Sequence, residues 1–122
     1  MYEVVIISDF SAAHHLRGYK GKCEELHGHN WKVEVLLASA GTDKIGMVED
    51  FAVIKEKLKG VLSLLDHKYL NVLSYFKKAN PTSENLAKLI YANMKERTKS
   101  GPAKVISVRV WETENSSAIY HE

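Results

Sequence analysis

Alternating hydrophobic and polar residues mark the first third of the chain as two strands. Val and Ile dominate residues 2–10, which predict a first strand, and residues 11–14 continue it toward a loop. A second alternation carries the apolar residues of 31–37 on one face, and His27 and His29 lie on that same face. The sequence therefore predicts two histidines at the start of a half-buried strand, both on its buried side.

Two amphipathic helices are predicted in the middle of the chain. Asp50 is a candidate N-cap, and behind it apolar residues recur at spacings of three and four as far as Leu65. We expect the segment 65–67 to end this helix. Pro81 and a capping Thr82 introduce the second helix, which Gly101 and the proline after it terminate.

Further strands are predicted on both sides of the helices. A short strand is expected at 45–48, and residues 118–120 are expected at the sheet edge. A longer strand at 105–113 is predicted to place four residues on one face: Ile106, Val108, Val110 and Glu112. The order strands, helices, strands is typical of an α+β fold with helices on one face of an antiparallel sheet.

Composition narrows the class of protein. The chain has 122 residues, 45% of them hydrophobic, which predicts one globular domain over residues 1–122. A net charge of +2 with mixed signs argues against nucleic-acid binding, and we interpret Arg17, Lys20 and Lys22 as a local anion contact. Cys23 is the only cysteine, so no internal disulfide can form, which favours a reducing, cytoplasmic setting. No segment reaches the about 20 apolar residues of a membrane span.

Three histidines form a candidate metal site. His27 and His29 project the same way from one strand, although such a pair is common without a metal. His14 ends the strand that should pair with theirs, so it can approach the same point. Three imidazoles leave a fourth zinc position open, which is typical of a catalytic site.

Other reactive side chains have two interpretations each. Cys23 is either a small buried side chain or a thiolate base beside a metal. Asp66 and His67 are either a surface pair or an oriented acid–base couple, and their spacing does not decide. Glu112 continues an apolar face, so its carboxylate needs either a salt bridge or a ligand with adjacent N–H donors.

Together these residues resemble the family of 6-pyruvoyltetrahydropterin and 6-carboxytetrahydropterin synthases. Six matching segments run in family order across nearly the whole chain: FSAAH at 10–14, CEELHGH at 23–29, GMVEDF at 46–51, LDHKYLN at 65–71, NPTSENL at 80–86 and VWET at 110–113. The resemblance implies the tunnelling fold, a four-stranded antiparallel sheet with two helices on one side. It also implies trimers or hexamers with sites between subunits.

The resemblance also implies roles for individual residues. His14, His27 and His29 would bind zinc. Cys23 would act as the base, and Asp66 with His67 as the second proton-transfer group. Glu112 would hold the amino-pyrimidine edge of a pterin, and two further contacts would come from Thr82 and Thr113.

The implied substrate is 7,8-dihydroneopterin triphosphate, but the product stays open. The pyruvoyl product serves tetrahydrobiopterin, the carboxy product serves queuosine-type deazapurines, and a third subgroup makes the 6-hydroxymethyl pterin of folates. Glu24 resembles the glutamate of that subgroup, or is a solvated loop acid. A three-histidine zinc hydrolase and a non-catalytic pterin-binding protein are the alternatives from other classes.

Overall fold

Two long paired strands form the centre of the fold. The computed structural model describes residues 1–18 and 25–122. Strand β1 (Tyr2–His14) pairs antiparallel with strand β2 (His27–Ser39) along its full length. The two strands end together, so the end of β1 and the start of β2 lie at one edge of the fold.

The remaining elements complete an α+β architecture. In chain order they are α1 (Phe51–Leu62), β3 (Lys68–Tyr69), α2 (Ser83–Thr98), β4 (Lys104–Thr113) and β5 (Ser116–Tyr120). Two short 3₁₀ helices, Leu70–Val72 and Ser74–Phe76, lie between β3 and α2. The sheet order is β3-β1-β2-β4-β5, antiparallel throughout except that β3 runs parallel to β1. The predicted fold class is confirmed. The sheet has one strand more than predicted, because two residues after the first helix pair with the free edge of β1.

The core lies between one face of the sheet and the two helices. Even-numbered residues of β1 and odd-numbered residues of β2 face the helices, since side chains alternate along a strand. Fully buried side chains from both layers meet there, among them Phe10, Trp31, Leu37, Ile54 and Leu86. Burial of each such side chain stabilises the fold by about 1.5–3 kcal/mol. These contributions together determine which face of each strand packs on the helices.

Both helices begin at the predicted caps, but the first one ends early. The Asp50 carboxylate accepts the Ala52 N–H at 2.9 Å, and the Thr82 hydroxyl accepts the Asn85 N–H at 3.1 Å. Helix α1 ends at Leu62, before the predicted end at 65–67. None of the helices in the described ranges is long and apolar enough to cross a membrane.

The predicted strand at 45–48 is wrong, because the segment is a turn. The Asp43 carboxylate accepts the backbone N–H groups of Ile45 and Met47, each at 3.0 Å. Gly46 has a φ of 85°, a conformation that glycine adopts without strain. The local hydrogen bonds of Asp43 outcompete strand pairing here.

The predicted face of the third long strand is correct only in its second half. A β-bulge in β4 lies opposite Leu36 and Leu37, and it shifts the alternation by one residue. Ile106 is therefore exposed, while Val105 is buried in its place. Beyond the bulge, Val108 and Val110 are buried as predicted.

Candidate metal centre and neighbouring reactive groups

Four potential metal ligands converge where β1 ends and β2 starts. His14 lies directly opposite His27 in the antiparallel ladder, and His29 follows two residues along β2 on the same face. Glu112 reaches the group from β4. One ligating atom from each of these residues lies within 4.8 Å of all the others. The predicted convergence of the three histidines is confirmed, and a carboxylate joins them.

Backbone carbonyls fix the protonation of two of the rings. His14 Nδ1 lies 2.7 Å from the Pro81 carbonyl, and His27 Nδ1 lies 2.7 Å from the Glu25 carbonyl. Carbonyl oxygens only accept, so each Nδ1 carries a proton, and the neutral form of each ring then presents a lone pair at Nε2. The two Nε2 atoms are 3.0 Å apart. In the neutral form of both rings the two lone pairs face and repel each other, so this arrangement suits a cation between them.

The third ring has a buried nitrogen with no hydrogen bond to the part of the chain that the structure describes. His29 Nε2 is buried and makes no hydrogen bond to the described residues, although Glu112 Oε1 lies 3.0 Å away. The same carboxylate oxygen is 3.6 Å from His14 Nε2. An unsatisfied buried nitrogen of this kind is costly unless it binds something. The residues therefore fit a divalent metal with a preference for imidazole nitrogen.

Burial keeps these rings in the form that binds metals. Burial lowers the pKa of His14, and the backbone hydrogen bond to Pro81 opposes this effect. Burial also lowers the pKa of His29, against the opposing charge of Glu112. A lowered pKa means that the rings are neutral at neutral pH, and neutral imidazole is the ligand.

Trp31 supports the cluster from the core. Its ring meets those of His14 and His29 edge to face, with centroid distances of 4.9 and 5.1 Å. The indole N–H donates to the Ala12 carbonyl at 3.3 Å. Two of the three rings are thus held against a fully buried side chain that is itself fixed.

Asp66 and His67 form an oriented pair at the outer edge of β1. The Asp66 carboxylate accepts the Ser11 N–H at 2.9 Å and faces His67 Nδ1 at 3.0 Å. His67 has a φ of 58° and donates its own backbone N–H to the Ser11 carbonyl at 2.6 Å. The Ser11 N–H, and then His67, lower the pKa of the Asp66 carboxyl. The pair is oriented and also lies on the surface, so both predicted interpretations, a surface pair and an acid–base couple, agree with the structure.

The couple does not contact the metal ligands of its own chain. His67 is 83% exposed at the side chain, and no hydrogen bond or ion pair of the described residues joins it to His14, His27 or His29. A cavity of about 560 Å³ lies beside it, and His29, Gly28 and Asn30 are also in its wall. The group is therefore open to a molecule outside this chain.

Of the four other predicted site residues, the structure describes two, Thr82 and Thr113. The Thr82 hydroxyl is occupied as the cap of α2. Thr113 follows Glu112 on β4, is exposed, and accepts the Asn115 N–H at 3.2 Å. Cys23 and Glu24 lie outside the described residues.

Backbone carbonyls and two asparagine side chains hold the histidines and the chain next to them, and the sequence predicted none of these groups. The carbonyls of Glu25 and Pro81 set the tautomers of two histidines, and any residue type offers a carbonyl, so no sequence signal marks them. Asn71 and Asn80 bind the backbone just after His14. Both lie within the matching segments of the chain, which is the signal that could have identified them.

The fold and the site together define an α+β enzyme. Its potential metal ligands lie at the ends of neighbouring strands of one sheet. The sequence profile described as 6-pyruvoyl tetrahydropterin synthase matches residues 3–122. A 6-carboxy-5,6,7,8-tetrahydropterin synthase of Synechocystis sp. is 40% identical over 116 residues, which cover 91% of this chain and 86% of that protein. One of Haemophilus influenzae is 29% identical over the full length of both chains.

A solved structure agrees with the sequence comparison. The 6-pyruvoyl tetrahydropterin synthase of Caenorhabditis elegans superposes with a TM-score of 0.89 at 30% identity, over 99% of this chain and 95% of that one. The chain belongs to the 6-pyruvoyl tetrahydropterin synthase family. It is a synthase-like lyase of that family.

Proposed function

We propose that the chain is a zinc-dependent pterin synthase that acts on 7,8-dihydroneopterin triphosphate and releases 6-carboxy- or 6-pyruvoyl-tetrahydropterin. The facing Nε2 atoms of His14 and His27, 3.0 Å apart with both Nδ1 atoms bound to carbonyls, carry the metal part of the proposal. The names of the relatives support the pterin product, and the carboxy product is favoured by the two curated proteins cited above.

The metal would be held by His14, His27 and His29. Zinc there would supply Lewis acidity to the side-chain hydroxyls of the substrate. Glu112 has its carboxylate at the same cluster and is 32% exposed at the side chain, so it can also accept N–H groups from a ligand. This supports its proposed role of orienting the amino-pyrimidine edge of the pterin.

Proton transfer is assigned to Cys23 and to the Asp66–His67 couple. Cys23, as thiolate, takes a proton from the substrate side chain. Asp66 binds the Nδ1 side of His67, which leaves the other ring nitrogen to exchange a proton with substrate. Thr82 and Thr113 are proposed as additional contacts to the pterin.

The proposed site is shared between subunits of a trimer or hexamer. Exposure of the Asp66–His67 couple, away from the metal ligands of its own chain, supports this. Mixing two inactive variants, Cys23→Ala and His67→Ala, tests it. We expect activity to reappear on co-refolding, because some sites then combine an intact Cys23 with an intact His67. A fully active monomer by light scattering would contradict the shared site.

The decisive experiment is a mass-spectrometric product assay. Purified chain loaded with zinc is incubated with 7,8-dihydroneopterin triphosphate, and His29→Ala serves as the metal-deficient control. We expect the carboxy or pyruvoyl product from the wild type only. A 6-hydroxymethyl pterin would indicate the folate-type reaction, and Glu24→Gln should then change the product ratio. Pterin binding without turnover would indicate a binding protein, and phosphate release alone a hydrolase.

A further inference from the structure

The cavity of about 560 Å³ beside His67 has a wall rich in hydrogen-bond donors. Six polar residues contribute to this wall: Ser11, His29, Asn30, His67, Lys68 and Tyr69. None of the described residues in the wall is an aspartate or a glutamate. The volume lies within the range of about 300–1,000 Å³ that is typical of small-molecule sites. A wall of this composition favours a ligand that is negatively charged and rich in acceptor oxygens.

Lys68 supplies the wall with a positive charge that is not used elsewhere in the described part of the chain. Its side chain is exposed, and it takes part in none of the ion pairs among the described residues. By contrast, each lysine beside a smaller cavity at the end of α2 already binds a carboxylate or a backbone carbonyl of the same chain. Lys68 is therefore available to an anionic ligand.

The backbone that carries Lys68 is held on both sides. It forms strand β3, which pairs in parallel with β1. Just before it, the His67 N–H donates to the Ser11 carbonyl at 2.6 Å. Just after it, the Tyr69 hydroxyl lies 2.7 Å from His15 Nδ1. These contacts fix the start of the lysine side chain at the cavity wall, so its ammonium group stays within reach of the cavity.

Two residues of β2 provide a donor and free space. The Asn30 side-chain oxygen accepts the Ser11 hydroxyl at 2.6 Å, so the NH₂ group of Asn30 is left to donate to a ligand. A Cβ at Gly28 would have the Ala12 carbonyl oxygen as its nearest neighbour among the described residues, at 3.9 Å, and Gly28 does not have a positive φ. The fold of this chain therefore does not require glycine at this position. Glycine inside a strand often marks the close approach of a ligand.

The sequence predicted a local anion contact at a different place, formed by Arg17, Lys20 and Lys22. The Arg17 guanidinium donates instead to the carbonyls of Phe76 and Ala79, so it is held within its own chain. Lys20 and Lys22 lie outside the described residues. Of the three predicted residues, the one that the structure describes is thus not offered to an anion.

We propose that this cavity binds the triphosphate group of the substrate, and that Lys68 is the charged residue that determines the affinity for it. His29 belongs both to the cavity wall and to the potential metal ligands, so one molecule can reach both places. In dihydroneopterin triphosphate, the phosphate chain is attached to the same side chain whose hydroxyls the metal would bind. The inference rests on the proposed function and adds to it the place where the charged end of the substrate is held.

Titration calorimetry with inorganic triphosphate tests the site on the full, zinc-loaded chain. Lys68→Ala is compared with Lys68→Arg, which keeps the charge, and with Lys88→Ala, which removes an exposed lysine of α2. Any contact between zinc and triphosphate is common to all variants, so a difference between them reports on the lysine. Dihydroneopterin, which has no phosphate, is titrated in parallel. Zinc content, light scattering and the KM for dihydroneopterin triphosphate complete the comparison.

We expect Lys68→Ala to weaken the binding of triphosphate and to raise KM, each by about fivefold to tenfold, because a charge-assisted contact is lost. Lys68→Arg and Lys88→Ala should stay within about twofold of the wild type. The affinity for dihydroneopterin should be the same in every variant. Added salt should lower the triphosphate affinity of the wild type more than that of Lys68→Ala, because salt screens the charge of the lysine.

Three results would overturn the proposal. One is a triphosphate affinity and KM in Lys68→Ala equal to those of the wild type. Another is a parallel loss of dihydroneopterin affinity, since the lysine would then act on the pterin or on the fold. The third is a changed oligomeric state of Lys68→Ala, which would assign the cavity wall to a subunit contact. A wild type that binds triphosphate through Lys68 but does not turn over dihydroneopterin triphosphate refutes the proposed function instead, and the anion site stands.

Discussion

His14 and His27 offer the same ligand atom, yet their loss should have unequal consequences for the metal-free fold. His14 is 1% exposed, and its Nδ1 is the partner of the Pro81 carbonyl in a buried hydrogen bond. His27 bonds to the Glu25 carbonyl in an exposed position. We therefore expect His14→Ala to destabilise the chain strongly, whereas His27→Ala should do so weakly.

The magnitude follows from these contacts. An orphaned buried carbonyl costs about 1–3 kcal/mol. In the wild type the ring centroids of His14 and Trp31 are 4.9 Å apart, so removal of the imidazole leaves a cavity beside Trp31. Formation of this cavity adds to the loss of stability. We expect His14→Ala to lower the free energy of unfolding by about 3 kcal/mol in total. An exposed carbonyl binds water, so His27→Ala should cost no more than about 0.5–1 kcal/mol.

Urea unfolding in the presence of EDTA, followed by circular dichroism, measures this difference without the metal. Zinc titration with a competing chromophoric chelator checks that both variants lose metal affinity. Equal losses of unfolding free energy in the two variants would refute the structural distinction between them. Retention of full zinc affinity in both variants would refute the ligand assignment itself.

Three further predictions concern other parts of the fold. The lowered pKa of Asp66 in the folded chain means that its ionised form stabilises the fold above the ordinary carboxyl pKa, and this contribution is lost as the pH falls below it. In Asp66→Asn, the unfolding free energy of the metal-free chain should therefore fall less steeply than in the wild type as the pH drops below about 4. Urea unfolding at several pH values measures this dependence. Gly60→Ala should raise the unfolding free energy by about 0.5–1 kcal/mol in thermal or urea unfolding, because the atoms in its way belong to the movable end of Arg97. Thr82→Ala should lower it by about 1 kcal/mol through loss of the α2 cap, whereas Thr82→Ser should not; if serine also impairs turnover, the threonine has a role in the site.

Sequence pattern alone determined the features that depend on near neighbours. Alternation with a period of two placed His27 and His29 on the buried face of β2, and the structure agrees because that face packs on the helices. The caps at Asp50 and Thr82 were also predictable, since a cap and the N–H it accepts lie within three residues. The matching segments identified the family, which the comparisons confirm.

Tertiary structure decided the features that depend on distant pairings. The bulge in β4 exposes Ile106, and it is set by the register against β2, about 70 residues earlier. The position of Glu112 beside the histidines follows from the same register. The hydrogen bonds that the side chains of Asn71 and Asn80 form with the backbone of His15 and Arg17 join residues more than 50 positions apart. Such contacts depend on how the whole chain packs. Closing the long loops between the partners costs conformational entropy, and the contacts offset that cost only once the fold has formed.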